Sequence, residues 1–349
     1  MSARKIKAPY PFTAVVGLEK VKMALILNLI NPEIGGVLLR GDKGTGKSML
    51  VYGMKDLLPE ITVFEGCRFN CDPAEKYRCP DCQTKLEKGI PLVPIKKKME
   101  IVDIPLNITE DRLLGAIDLE RVLTQGKAVF EPGILSMAHR NILYVDEINL
   151  LDDAIVDALL DAAAMNIVTV EREGISISYP TKFLLIGSMN PEEGELRPQL
   201  LDRLALIGQT ETIKDPLLRK QMLEDSLLYE RDYSKFLLKY KESQVKLADL
   251  ISKARSTLPR VTMTPEMMTL IAWIGIQFNV DGHRADIIME RTARAHAALH
   301  GRTAVSVDDV VIAAELALPH RMRKKPFEEM EFSEFALRKL VDNFLKKRG

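Results

Sequence analysis

Short apolar runs bounded by breaker residues recur through the first part of the chain: Val37–Leu39, Ile61–Phe64, Glu100–Ile104, Ile142–Val145, Phe183–Ile186 and Ala205–Ile207. Helical periodicity fills most of the gaps, as at Asp152 to Met165. A further helical stretch, Gly17 to Asn31, precedes them with Leu18, Val21, Leu25 and Leu29 on one stripe. Strands alternating with helices predict βαβ units and an α/β fold with a mainly parallel sheet. Beyond Pro216 the strand signals stop. Helical patterns then follow one another: Leu217–Tyr229, Ser243–Thr257, Pro265–Phe278, Arg284–Leu299 and a new start at Ser306. The change places a boundary at Lys214-Asp215-Pro216, with an α/β core over residues 1–215 and an all-helical domain over 216–349.

Charge and composition narrow the partners. Lys plus Arg equals Asp plus Glu at 49 each in 349 residues, so the formal net charge is zero. A nucleic-acid motor carries a basic excess or a clustered basic face. The basic runs here, Lys96–Lys98, Arg321–Lys325 and Lys346–Arg348, are short enough to be solvated faces, so no nucleic-acid partner is expected. No apolar run approaches the roughly 18 residues of a membrane span. The segment Met1-Ser2-Ala3-Arg4-Lys5 also lacks the apolar core of a signal peptide. A soluble, cytoplasmic protein with no membrane contact is expected.

The first chemical element follows the run at Val37. Gly41-Asp42-Lys43-Gly44-Thr45-Gly46-Lys47-Ser48 fits the phosphate-binding pattern G-x-x-x-x-G-K-[ST], with the preceding strand and following helix that the pattern requires. The glycines let successive N–H groups point at phosphate oxygens, and the start of the helix adds its positive end. Lys47 would reach the β- and γ-phosphates of ATP, and the Ser48 hydroxyl would complete a Mg²⁺ shell. The second element is Ile142-Leu143-Tyr144-Val145-Asp146-Glu147. A buried strand delivers Asp146 to the carboxyl end of the sheet, where it can hold Mg²⁺ while Glu147 deprotonates the attacking water. The pattern alone is weak, and the phosphate loop makes it strong. The third element, Phe183 to Pro191, ends on Asn190, whose amide can donate to a γ-phosphate and accept from water. A plain turn residue before proline is the competing reading. Arg203 and Arg284 are candidate guanidiniums for charge on the transferring phosphoryl group, against the bland alternative of surface ion pairs.

All four cysteines fall within sixteen residues: Cys67-x3-Cys71-x7-Cys79-x2-Cys82. In a reducing compartment disulfides are disfavoured, and four thiolates in one short loop (66–83) suit tetrahedral zinc. An iron–sulfur cluster and redox-active or unligated thiols stay open. Cys79-Pro80-Asp81-Cys82 is a good metal knuckle, whereas Cys67-x3-Cys71 is looser than usual. The histidines offer little: His296 and His300 share a helix face, but no third ligand is visible. Phe332 to Leu345 is amphipathic and would dock on this chain or on a partner.

With these residues in place, the chain resembles the AAA+ ATPases, and more closely the subunit I family of magnesium chelatases. The resemblance rests on Pro9-Tyr10-Pro11-Phe12 leading to Val16-Gly17-Leu18-Glu19, on Ile34 to Val37 running into the phosphate loop, and on Val145 to Leu151. It rests above all on the long run Met189 to Arg203. It extends over residues 8–325, although the cysteine cluster departs from the best-known chlorophyll-pathway members. The resemblance implies that the first segment packs near adenine, that Asn190 is the sensor-1 residue and Arg284 the sensor-2 residue, and that Arg203 acts in trans. It also implies a homo-oligomeric ring with ATP between neighbours. A von Willebrand-type adaptor subunit and a large porphyrin-binding subunit would work with that ring to insert Mg²⁺ into protoporphyrin IX, a ligase-type reaction. Lys47 and Asp146 stand 99 positions apart, too far for a bare strand–helix–strand connection. The resemblance implies two hairpin insertions, one within Gly126 to Arg140 and one pairing Ile167–Glu171 with Ile175–Tyr179. Rival readings are a cobalt-chelatase motor, a MoxR-type maturation chaperone, a DNA-remodelling ring and a non-hydrolysing scaffold.

Overall fold

The computed structural model describes residues 9–118, 129–172, 175–210, 212–280, 282–322 and 332–346. Eleven strands are present among them: β1 (Val37–Gly41), β2 (Glu60–Phe64), β3 (Pro94–Lys98), β4 (Ile101–Ile104), β5 (Gly115–Asp118), β6 (Val129–Pro132), β7 (Ile142–Val145), β8 (Ile167–Arg172), β9 (Ile175–Pro180), β10 (Leu184–Met189) and β11 (Leu206–Thr210). A five-stranded sheet runs in the order β11-β1-β10-β7-β4. The pairs β1–β11, β7–β10 and β4–β7 are parallel. Every residue of β7 and β10 is buried, which is why both read as mostly apolar runs rather than alternating ones. The expected α/β fold with a mainly parallel sheet is observed.

Two expectations meet a different outcome. Ile61–Phe64 is a strand but lies outside the central sheet, paired antiparallel with β3. That partner carries Lys96, Lys97 and Lys98 and is largely exposed, so it has no apolar signature to announce it. The first hairpin pairs β6 with β5, matching Ile117 to Phe130, and so begins well before Gly126. The second hairpin follows expectation, with Ile167 opposite Pro180 and Arg172 opposite Ile175. Its turn at 173–174 lies outside the described residues, as do residues 126–128 of the first.

The chain divides into two compact units, residues 1–57 with 204–349, and residues 58–203. In the first, the helix Glu19–Ile30 buries Val21, Leu25, Leu27 and Leu29 almost completely, each leucine worth about 2 kcal/mol of transfer free energy. From Pro216 onward the α-helices among the described residues are Pro216–Arg231, Tyr233–Thr257, Pro265–Gln277, Arg284–Leu299, Val307–Ala317 and Glu334–Lys346, and no strand is present among those residues. Their starts obey local rules, since Asp215 and Thr264 cap helices whose first residue is proline. The amphipathic C-terminal stretch docks on its own chain. Leu337, Val341 and Phe344 are buried, and the Phe344 ring lies 5.3 Å from that of Trp273. His296 is taken up by Asp309 at 2.6 Å, which removes it as a free ligand.

Candidate functional site

The phosphate loop lies in the first unit. Gly41, Gly44 and Gly46 all have positive φ, at 153°, 81° and 86°. At Gly41 a Cβ would fall 2.1 Å from the Thr210 hydroxyl, so only glycine lets β1 pass β11 there. At Gly44 and Gly46 a Cβ would meet nothing within 4 Å: the left-handed turns open onto free space, the shape of a phosphate cradle. The helix Lys47–Gly53 starts on that cradle with Gly46 as its N-terminal cap. The Lys47 ammonium donates to the Gly41 and Asp42 carbonyls at 2.5 and 2.8 Å, which holds it over the loop. Thr45 braces the turn by donating to the Asp42 carbonyl at 2.9 Å and meeting the Thr210 hydroxyl at 2.9 Å. Lys43 to Gly46 open into a cavity of about 390 Å³ whose other walls include Tyr10, Val16, Leu18, Ile213 and Met222. Sites of this size with an apolar wall and a few convergent polar groups are typical of small-ligand pockets. Arg284 belongs to the same unit and opens the helix Arg284–Leu299, half-buried.

The acidic strand lies in the second unit. Asp146 leaves the end of β7 exposed, and Glu147 follows it half-buried in a left-handed conformation with φ of 52°. Tyr144, itself buried, donates to Asp146 Oδ1 at 2.9 Å. Ser188, fully buried on β10, donates to the same oxygen and accepts the Glu147 backbone N–H at 3.0 Å. One hydroxyl therefore ties the Asp146 carboxylate to the Glu147 backbone. Gly187 matters for a related reason, because a Cβ there would press into the Ile148 side chain at 3.0 Å. Sequence reasoning passed over Tyr144 and Ser188. The available signal was a hydroxyl inside an otherwise apolar strand, which a buried position obliges to find a partner.

Asn190 is buried at the end of β10, and its side-chain oxygen accepts the Glu192 N–H at 3.3 Å, so it does serve the turn before Pro191. Arg203 closes the helix Pro198–Arg203, half-buried, and its guanidinium has no hydrogen bond or ion pair among the described residues. Arg197, not singled out from sequence, does the opposite and bridges Asp153 at 2.9 Å and Asp157.

The cysteines also lie in the second unit. The sulfurs of Cys67, Cys71, Cys79 and Cys82 all fall within 4.8 Å of one another, with three of the residues buried and Cys67 half-buried. Backbone N–H groups of Cys71, Cys79 and Cys82 point at the sulfurs of Cys67, Cys71 and Cys79. Hydrogen bonds from Cys71 and Cys79 hold the Cys67 thiol far below its ordinary range. Sharing with Cys67, together with burial, pushes Cys71 and Cys79 up, and burial pushes Cys82 up to about 12.

Two family models match the chain: the magnesium chelatase subunit ChlI family over residues 120–199 and the AAA lid domain over residues 268–340. A magnesium-chelatase subunit ChlI homolog from Methanocaldococcus jannaschii is 49% identical over 340 residues, covering 97% of this chain and 93% of that protein. The chloroplastic subunit ChlI-2 of Arabidopsis thaliana is 47% identical over 348 residues, covering 98% of this chain and 82% of that one. Among solved structures, a cryo-EM complex of the magnesium chelatase subunits BchI and BchD contains a chain at 41% identity with a TM-score of 0.53. That match covers 91% of this chain and 98% of the other. A Cytophaga hutchinsonii protein at 16% identity shares the fold, with a TM-score of 0.60 over 96% and 91% of the two chains. The fold, the lid and the phosphate loop define an AAA+ ATPase. Within that class, the chain belongs to the magnesium chelatase subunit ChlI family. No helix among the described residues is long and apolar enough to cross a membrane.

Proposed function

We propose that this chain is the ATP-hydrolysing motor subunit of a magnesium chelatase. The observation that carries the reading is the cavity in which the open glycines of the phosphate loop meet an apolar wall. Phosphates fit the side with backbone donors and a lysine, and adenine fits the side lined by Val16, Leu18, Ile213 and Met222. Ser48 and Asp146 would hold Mg²⁺, which supplies neutralising charge to the β- and γ-phosphates when bound. Glu147 takes the proton of the attacking water, and Asn190 orients that water and the γ-phosphate. Arg203 acts on the nucleotide of a neighbouring subunit, consistent with its lack of a partner among the described residues, and Arg284 passes the nucleotide state to the helices from 216 onward.

On this reading residues 1–215 form the ATPase core and 216–349 the lid, and copies assemble into a ring with ATP bound between neighbours. The BchI–BchD complex supports an adaptor subunit as partner. A separate porphyrin-binding subunit would carry protoporphyrin IX, to which the whole assembly adds Mg²⁺ in a ligase-type reaction. The resident cofactors are ATP with Mg²⁺ at the loop and zinc at the four cysteines. Hydrolysis by the purified chain beside its Glu147→Gln variant tests the motor assignment. Retained ATP binding with lost turnover in the variant is expected, and full turnover would refute the role given to Glu147.

A further inference from the structure

The nucleotide chemistry leaves the four cysteines unused, yet their surroundings connect them to it. A single zinc ion bound by four thiolates at about 2.3 Å sets sulfur–sulfur edges of about 3.8 Å. Cys67 and Cys79 already lie 3.7 Å apart, and no pair of the four exceeds 4.8 Å. A four-iron cluster binds each thiolate to a separate iron and spreads the sulfurs around an inorganic core, a span this packing does not offer. The N–H groups aimed at three of the sulfurs suit thiolates held permanently, because they disperse negative charge that a buried site cannot give to water.

The loose Cys67-x3-Cys71 spacing then acquires a purpose. Phe69, between the two ligands, is fully buried with its ring 5.3 Å from Tyr179 of β9 and 6.5 Å from Phe130 of β6. Asn70 beside it, at φ 47°, donates to the His139 carbonyl at 3.1 Å and accepts from Lys97 at 3.2 Å. Asp72, just past Cys71, pairs with Arg140 at 2.9 Å, and Arg140 reaches back to the carbonyls of Thr62 and Asn70. His139 and Arg140 stand immediately before β7, the strand that ends on Asp146 and Glu147.

We infer that the four cysteines bind one zinc ion, and that the ion clamps Phe69, Asn70 and Asp72 onto the start of the acidic strand and onto both hairpins. Without it, the clustered thiolates have no cation to balance them and must take up protons, and the loop that presents these three side chains loses its closure. Every described residue that lines the nucleotide cavity belongs to the other unit, so losing the clamp affects hydrolysis and leaves nucleotide binding in place. This consequence rests on the reading of Asp146 and Glu147 as the hydrolytic pair.

The test uses the full chain, purified without added metal. One zinc per chain is expected, and the cobalt-substituted protein should show the visible bands of tetrahedral thiolate coordination. Stoichiometric iron with sulfide, or no bound metal, would overturn the site. Zinc-stripped protein should then exchange amide hydrogens faster over residues 137–146 and 176–180 and turn over ATP about tenfold more slowly, with unchanged ATP affinity. Asn70→Ala should keep its zinc and still exchange faster over 137–146, which separates the clamp from general unfolding. Unchanged exchange and turnover after stripping would overturn the clamp. Were the wild type inactive towards ATP, the motor reading would fall, while the metal count and exchange data would still decide this inference.

Discussion

The phosphate loop and the cysteine loop are both short turns with a recognisable spelling, and they are built in opposite ways. In the first, Gly44 and Gly46 face empty space and the loop opens into a cavity. In the second, three of four ligands are buried, and the intervening side chains pack against strands on several sides. An open site suits a ligand that must arrive, react and leave. A closed one suits a permanent structural ion, the same division that separates catalytic from structural zinc sites. The acidic strand lies between these extremes: Asp146 is exposed, but Tyr144 and Ser188 fix it from a buried layer beneath.

Substitutions break this comparison to different degrees. Glu147→Gln should reduce turnover about 10²- to 10⁴-fold while leaving ATP binding and zinc content intact; steady-state hydrolysis with a nucleotide-binding titration checks it. Lys47→Ala should cost about 10²- to 10³-fold and weaken nucleotide binding as well, again with zinc unchanged by metal analysis. Comparable zinc loss in that variant would mean that the open and closed sites are not independent. Asp309→Ala, in the helical region, should cost about 3 kcal/mol of stability, because it strips a buried carboxylate from Arg302 and His296. Burial pushes Asp309 up, but hydrogen bonds from His296, Arg302 and Ser306 outweigh it and hold the carboxyl well below its usual range. A depressed carboxyl contributes stability that is present above its unfolded value near about 4 and lost as pH falls below it. The wild type should therefore melt progressively earlier in acid, and the variant should show less of that acid dependence in a thermal-melt series. Ser188→Ala should have the smallest effect, about tenfold in turnover through a lost bond to a charged group. It should also raise the Mg²⁺ concentration for half-activation, which a purely structural defect would not do.

Legibility followed the same division. The strand–loop junctions that carry Gly41 to Ser48 and Asp146-Glu147 were legible, because residues adjacent in the chain set them. Central strands could be read because burial on both faces makes them uniformly apolar. Strand β3 was hidden by its run of three lysines, two of them exposed, and β5 by its shortness. Its place is set by the close approach of Gly115 and Gly133, where a Cβ on Gly133 would fall 2.4 Å from the Gly115 nitrogen. Such backbone contacts leave no periodicity. Ser188 escaped notice because its partners, Asp146 and the Glu147 N–H, sit on a neighbouring strand some forty positions earlier. The x3 spacing of the first cysteine pair is looser than usual, and the intervening Phe69 and Asn70 are both buried, which the spacing alone does not announce.

The most direct test of the motor reading is ATP hydrolysis over a series of protein concentrations, for the wild type and for mixtures with Arg203→Ala. Specific activity should rise with concentration and fall in the mixtures, because each site borrows Arg203 from a neighbour. Constant specific activity, unaffected by the variant, would show that the chain hydrolyses ATP alone or by another route, and would contradict a ring motor.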